Sequence, residues 1–203
     1  MSENNNLFYK ILTNTYIYIC FQRLMSATYV RKKFVKNHIK KGYNVLDVGC
    51  GPSSILNDLP KINYYGYDIN SSYIKYAKKK YQNKNYRFFC KKLNKQEITK
   101  CPKFDCVLLL GLLHHLNDKE FITTIHLIKN SLKINGRILI LDNVLIKNQN
   151  FLSKFLINND KGDNVRSLDQ FKLILNKYFT KIKFEIVNQK FIPYTWLKII
   201  CYK

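Results

Sequence analysis

Acidic residues are scarce: 13 Asp and Glu stand against 35 Lys and Arg in 203 residues, a formal charge of +22. Arginine is scarcer still, with only Arg23, Arg31, Arg87, Arg137 and Arg166. Bidentate phosphate recognition draws on arginine rather than lysine, so the excess reads first as a solvated lysine coat and only second as a nucleic-acid surface. The six cysteines (Cys20, Cys50, Cys90, Cys101, Cys106, Cys201) include no C-x-x-C pair. That excludes the usual zinc and disulfide frameworks, leaves no metal ligand set to name, and fits a reducing compartment. No apolar run reaches the ~18–20 residues of a membrane span, and MSENNNLFYK lacks a signal-peptide pattern. A cytoplasmic protein without a membrane span is expected, as monomer or homodimer. Glycine and proline are also sparse, at seven and four residues, which argues against low-complexity or fibrous structure.

What is present is globular composition, 46% apolar and 24% charged, at a length suited to one α/β domain. Apolar spacings of three and four from Leu7 onward, and again over Tyr29–Ile39, predict a helical cap over residues 1–42. Strands then alternate with helices through a core at 43–142. The strands are Asn44–Val48, Ile62–Asp68, Tyr86–Cys90, Phe104–Gly111 and Arg137–Asp142. Ser71 or Ser72 is expected to cap one helix, and Asn117 with Glu120 another. Residues 143–203 read as a lid, a helix from Ser167 to about Phe179, and a hairpin of Lys181–Gln189 with Tyr194–Tyr202. The expectation is a single domain over 1–203, α/β in class. It has a doubly wound, mostly parallel seven-stranded sheet and an antiparallel C-terminal hairpin at one edge.

In open α/β sheets ligands sit beyond the C-terminal ends of the strands. Three of the few acids, Asp47, Asp68 and Asp142, fall at or near such ends. The segment VLDVGCGP (45–52) places Gly49 and Gly51 where the backbone must turn sharply and approach a ligand. A carboxylate at Asp47 would repel a pyrophosphate but suits an ammonium group. Asp68, 17 residues after Gly51, can accept from both hydroxyls of a ribose. A nucleoside with an amino-acid tail, such as S-adenosylmethionine, meets these requirements.

At these residues the sequence resembles class I S-adenosylmethionine-dependent methyltransferases of the small-molecule branch. The matching pieces are VLDVGCGP (45–52), GYDIN (66–70), FDCVLLLGLLHHLND (104–118) and NGRILILD (135–142). The flanks NDKGDNVRS (159–167) and IPYT (192–195) look like bacterial members tied to polysaccharide or sugar modification. The resemblance implies a Rossmann-like fold, S-adenosylmethionine as cofactor and S-adenosylhomocysteine as product. It assigns Asp47, Gly49, Cys50 and Gly51 to the methionine moiety, Asp68 to the ribose, and Ile69 to the adenine. Leu110 and Gly111 would flank the sulfonium. The family's acid after strand three is replaced here by Lys92 or Asn94, which leaves a backbone amide near Leu93 to hold the adenine.

The sulfonium methyl is already activated, so positioning dominates. A hydroxyl acceptor also benefits from a general base. His115 is the expected base or acceptor-orienting group, packing beneath the cofactor being the alternative. His114, Arg166 and Tyr194 are the candidate substrate residues, with Arg166 as a clamp for an acceptor carboxylate or phosphate. The leading expectation is O-methylation of a small, sugar-like or anionic metabolite. RNA methylation, prompted by the charge, and non-catalytic S-adenosylmethionine binding are the alternatives.

Overall fold

The structure is a computed structural model and describes residues 27–147, 149, 151, 164–188 and 195–203. The expected first helix before Ala27, the lid at 159–163 and Tyr194 lie outside the described residues. Among the described residues no helix is long and apolar enough to cross a membrane.

In chain order, α1 (Ala27–Lys36) leads into β1 (Asn44–Val48) and a short 3-10 turn at Ser54–Asp58. There follow β2 (Asn63–Asp68), α2 (Ser71–Lys80), β3 (Tyr86–Cys90), α3 (Lys95–Thr99) and β4 (Phe104–Leu110). A second 3-10 turn, Leu113–His115, precedes α4 (Asp118–Ser131) and β5 (Leu132–Leu145). The two-residue β6 (Arg166–Ser167), α5 (Leu168–Leu175), β7 (Lys181–Asn188) and β8 (Thr195–Tyr202) complete the chain. The sheet runs β3-β2-β1-β4-β5-β8-β7, with β6 alongside β5. Strands β1 to β5 are parallel, and β8 is antiparallel to both β5 and β7. This is the Rossmann-like, mostly parallel architecture with an antiparallel C-terminal hairpin.

Period-two alternation in the central strands feeds two cores, one on each face. Leu46, Val107, Leu109, Ile138 and Ile140 point to one side, where Phe121, Ile125 and Ile128 of α4 and Phe171 of α5 cover them. Val45, Cys106, Leu108, Leu139 and Leu141 point to the other, under Val30, Phe34 and Val35 of α1 and Ile74 and Ala77 of α2. Continuous apolar runs such as CVLLL are therefore buried on both faces.

Local chemistry shifted some boundaries. The cap of α2 is Asn70, not Ser71 or Ser72; its side chain accepts from the amides of Ser72 and Tyr73. The capping boxes Asn117/Glu120 and Ser167/Gln170 both form. Strand β5 is much longer than Arg137–Asp142 and begins directly after α4. Its pairing with β4 shifts register between Phe104 and Cys106, near Asn135 in the left-handed region at φ 65°. The final helix stops at Leu175 instead of Phe179, and β6 adds a strand no pattern announced.

Phe121 has no solvent exposure and meets the Phe171 ring at 5.9 Å, edge on. Replacing it with Ala should cost about 3–5 kcal/mol through lost burial and the cavity left behind. Urea unfolding of Phe121→Ala with an unchanged m-value is the measurement; a loss under about 1 kcal/mol would mean the site collapses without consequence.

Candidate functional site

The turn after β1 is built over the end of β2. Gly49 and Cys50 both donate their amides to the Tyr67 carbonyl, at 2.8 and 3.1 Å. Gly49 and Gly51 have φ of +72° and +53°, in the left-handed region that favours glycine. A Cβ on Gly49 would also lie 2.9 Å from Leu112 Cδ1, so any side chain there meets the turn after β4.

Asp47 sits beneath this turn with only 2% exposure. Tyr64 donates its hydroxyl to Asp47 Oδ2 at 2.6 Å, while Oδ1 is buried without a hydrogen-bond partner among the described residues. Burial pushes the carboxyl up to about 6, against the Tyr64 hydrogen bond and the Arg31 charge, which lower it. An unpartnered buried carboxylate oxygen costs folding energy, and it is the group a bound cation would satisfy. Cys50 packs in the same turn, and burial holds its thiol well above the ordinary range, so it serves as a small apolar wall.

Asp68, at the end of β2, is pre-oriented by two amides: Gly51 donates to Oδ2 and Asn70 to Oδ1, each at 2.8 Å. Burial raises its pKa, and the amides of Asn70 and Gly51 oppose that. Both oxygens keep a second lone pair for a ligand's hydroxyls. Beside it Ile69 is 77% exposed, an uncovered apolar surface at the sheet's ligand-binding end. The Leu93 side chain belongs to the core, so only its backbone can face a ligand. Lys92 is drawn to Glu120 at 2.8 Å and Lys91 to Glu97 at 2.9 Å, while Asn94 caps α3 through the Glu97 amide. The substitute residues after β3 are thus engaged in surface pairs and a cap.

Arg31 is not among the site residues expected from the sequence. Its Nη2 donates to the Leu110 carbonyl at 3.1 Å and would stand 3.0 Å from a Cβ on Gly111. It shares with Asp47, Gly49, Gly51, Ser54 and Leu110 a cleft of about 310 Å³, open mouth included. A carboxylate and a guanidinium on one cleft match the two charges of an amino-acid zwitterion. The available signal was Arg31 itself, an arginine in a helix otherwise furnished with lysines.

At the far side, Gly111 (φ +75°) ends β4 and donates to the Leu141 carbonyl. His114 follows, buried, its Nδ1 2.5 Å from Asp142 Oδ1. His115 is exposed, with its ring centroid 4.0 Å from that of His114. The structure therefore brings Asp47, Gly49, Cys50, Gly51 and Leu110 to one cleft, with Asp68 and Ile69 following on from β2 and Gly111 and the two histidines following on from β4.

Arg166 is a correction. The expected clamp for an acceptor anion has all five donors committed inside the protein. Nε and Nη2 reach Asp118 Oδ1, Nη1 reaches the Leu113 and Asn164 carbonyls, and Nη2 also reaches Leu116 O at 2.6 Å. Its Cζ lies 5.0 Å over the Phe121 ring. Arg166 holds the loop between β4 and α4 and has no donor left for a ligand.

Residues 39–196 match the model of a family described as methyltransferase domain. The chain is a member of that family. No curated protein matches it in sequence. Its fold is that of several solved S-adenosylmethionine-dependent methyltransferases. Human N-acetylserotonin methyltransferase, solved in complex with S-adenosylmethionine, aligns with TM-score 0.68 and 17% identity over 100% of this chain and 60% of that one. A SAM-dependent methyltransferase from Archaeoglobus fulgidus gives TM-score 0.68 and 18% identity over 92% and 99%. The 1,6-didemethyltoxoflavin-N1-methyltransferase of Burkholderia thailandensis, with S-adenosylhomocysteine bound, gives 0.64 and 14% over 100% and 92%. The chain spans about three fifths of the human enzyme's length, 60%.

Two outcomes test this geometry. Because Asp47 is held protonated up to about pH 6 when folded but only to about 4 when unfolded, folding binds a proton between those values and stability from this group falls as pH rises through them. Asp47→Asn should therefore raise stability at pH 7.5 by ~3 kcal/mol and leave it nearly unchanged at pH 4; a variant destabilised at both pH values would refute the strained carboxylate. Separately, Arg166→Ala should cost about 3 kcal/mol by stranding buried carbonyls. Asp118→Ala, whose side chain is 72% exposed, should cost under about 1 kcal/mol. Equal losses in denaturation would mean the ion pair, not the carbonyl set, holds the loop.

Proposed function

We propose that the chain transfers a methyl group from S-adenosylmethionine to a hydroxyl of a small, sugar-like or anionic acceptor, as a cytoplasmic enzyme. The observation that carries the cofactor assignment is the unpartnered Asp47 oxygen beneath two left-handed glycines, in a cleft shared with Arg31 and adjoining Asp68. Asp47 would take the α-ammonium, Arg31 the α-carboxylate, and Asp68 the ribose hydroxyls, with Ile69 against the adenine face and a backbone amide near Leu93 at its edge. Leu110 and Gly111 would border the sulfonium. S-adenosylmethionine supplies a methyl group already activated on sulfur, so the protein's part is to bind, orient and exclude water.

The hydroxyl class is supported by imidazole at the end of β4, since an alcohol or phenol must lose a proton during transfer. His115 is exposed at that end and His114 lies beneath it, so the transfer end carries a basic pair. Nothing in the LLGLLHH segment supplies the Asn/Asp-Pro-Pro-Tyr/Phe pattern associated with base N-methylation, which weighs against an RNA substrate despite the charge.

Calorimetric titration should give micromolar binding of S-adenosylmethionine and S-adenosylhomocysteine, about −8 kcal/mol. Below the Asp47 pKa of about 6 the free site is protonated and binding must expel that proton. Affinity should then weaken as pH falls from 6 toward 5, with proton release visible as buffer-dependent heat. Asp68→Ala should weaken binding at least tenfold. Affinity flat from pH 5 to 7 and indifferent to Asp68→Ala would overturn both assignments. Radiolabelled methyl transfer to a panel of phenols, hydroxy acids and sugars tests the hydroxyl class; transfer only to amines would remove it.

A further inference from the structure

Strand β2 reads Asn-Tyr-Tyr-Gly-Tyr-Asp, and its Tyr64 acts on the cleft without lining it. In the parallel pairing Val45 stands opposite Tyr64 and Asp47 opposite Gly66. Alternate residues of a strand share a face, so Tyr64 and Gly66 lie on the same side of the sheet as Val45 and Asp47. A Cβ on Gly66 would lie 2.8 Å from Tyr64 Cε1, 3.0 Å from Cys50 Sγ and 3.3 Å from Phe88 Cδ1. Gly66 is not one of the left-handed glycines; it supplies room rather than backbone freedom. Through that room the Tyr64 ring runs up the sheet toward Asp47. Tyr86 and Phe88 of β3 hold the ring, with centroids at 6.0 and 5.7 Å.

Fully buried, Tyr64 donates its hydroxyl to Asp47 Oδ2 at 2.6 Å, and the buried Ser53 Oγ lies 3.2 Å from the same hydroxyl. A phenol has one proton, and the nearer, charged acceptor takes it. Burial and the adjacent carboxylate push the Tyr64 pKa well above its ordinary value, so Tyr64 remains a donor wherever Asp47 titrates. The two carboxylate oxygens are thereby made unequal. Oδ2 is held from β2, while Oδ1, buried and without a partner among the described residues, is left for the cleft that Asp47 lines. A proton taken up by the carboxyl goes to Oδ1 for the same reason. We infer that Tyr64 is a positioning residue of the cofactor site, its hydroxyl reaching past Gly66 to turn Asp47 so that Oδ1 meets the ligand's ammonium. This rests on the assignment of Asp47 to the S-adenosylmethionine ammonium.

The groups around Asp47 fix the sign of the effect. Burial drives its carboxyl up to about 6; the Tyr64 hydrogen bond opposes that most, followed by the Arg31 charge from α1, while Asp68 at the end of β2 adds to the rise. The Cys50 thiol in the turn and the Cys106 thiol on β4 are both pushed up by burial and stay neutral beside it. Removing the Tyr64 hydroxyl frees Oδ2 to take a proton and raises the pH at which the carboxylate forms. An ammonium binds the carboxylate and not the acid, so the loss of affinity falls on the acid side and fades as pH rises.

Tyr64→Phe keeps the ring and removes the hydroxyl. Carbon-13 NMR of the side-chain carboxyls in the ligand-free protein is the first test, the Asp47 signal being the one that Asp47→Asn lacks. Its midpoint, about 6 in the wild type, should rise by about one to two pH units in Tyr64→Phe. An unmoved or lowered midpoint would overturn the inference without reference to any ligand. Calorimetry with S-adenosylhomocysteine, which carries the ammonium but not the sulfonium charge, is the second arm. Compared with the wild type at the same pH, which cancels the ligand's own titration, Tyr64→Phe should bind about threefold or more weakly at pH 6.5 and within about twofold at pH 8.5. An equal loss at both pH values would mark a packing effect and remove the positioning role. A wild type that weakens in acid beside a Tyr64→Phe profile that does not move would remove Tyr64 alone. Wild-type affinity that is flat from pH 5 to 7 and matched by Asp47→Asn would instead remove the ammonium assignment, and this role with it.

Discussion

The Asp142 carboxylate governs the geometry at the sheet's ligand-binding end. A charge taken out of water costs several kcal/mol unless its lone pairs are filled, and here the filling comes from the turn after β4 and from Asn143. The turn cannot move without stranding the carboxylate. Arg166 grips the same turn from the opposite side, through the Leu113 and Leu116 carbonyls. A buried anion and a buried cation thus bracket six residues, Leu113–Asp118, without bonding to each other. The position of His114, the start of α4 at its Asn117 cap, and the close of β4 at Gly111 are all consequences.

The carboxylate at the other end of the site is treated in the opposite way. Asp142 has a donor on each of its oxygens, three in all, whereas Asp47 has a buried oxygen with none among the described residues. The contrast separates a group kept for architecture from one kept ready for a ligand: the first is satisfied by the fold, the second only on binding. Asp68 lies between these cases, pre-aimed by two amides but with accepting capacity in reserve. Natural folds tolerate such deficits at sites where binding later removes them.

Much of this was legible in the string because strands buried on both faces must be apolar throughout. VLLL and RILIL could scarcely be anything else, and Gly49 with Gly51 marked the turn. What escaped were the long-range partners. Arg166 looked like a ligand clamp because its real acceptors, Leu113 and Leu116, lie some fifty positions away and are backbone carbonyls, which any residue provides. Arg31 went unmarked because it stands among lysines in α1, and only the fold brings the Leu110 carbonyl of β4 within its reach. His114 and His115 are adjacent in sequence, so nothing in the pattern could say which faces inward; the 3-10 geometry of Leu113–His115 decides that. Asn70 took the cap from two serines by accepting from the Ser72 and Tyr73 amides, which starts the helix at Ser71.

The order of strands carries a consequence for how the chain comes to be made. β8 inserts between β5 and β7, pairing with β5 from Arg137↔Tyr202 to Asn143↔Trp196. The ribosome delivers these partners far apart, with β5 complete long before Thr195–Tyr202 exists. Throughout that interval RILILD offers a bare, apolar edge to any neighbouring nascent chain, a known route to edge-to-edge misassembly. When β8 arrives it seals that edge and brings β7 to the outside, where Lys181, Lys183 and Glu185 furnish a charged border. β8 therefore retires the hazard created by β5, which makes the speed of its arrival a determinant of yield distinct from the stability of the finished fold.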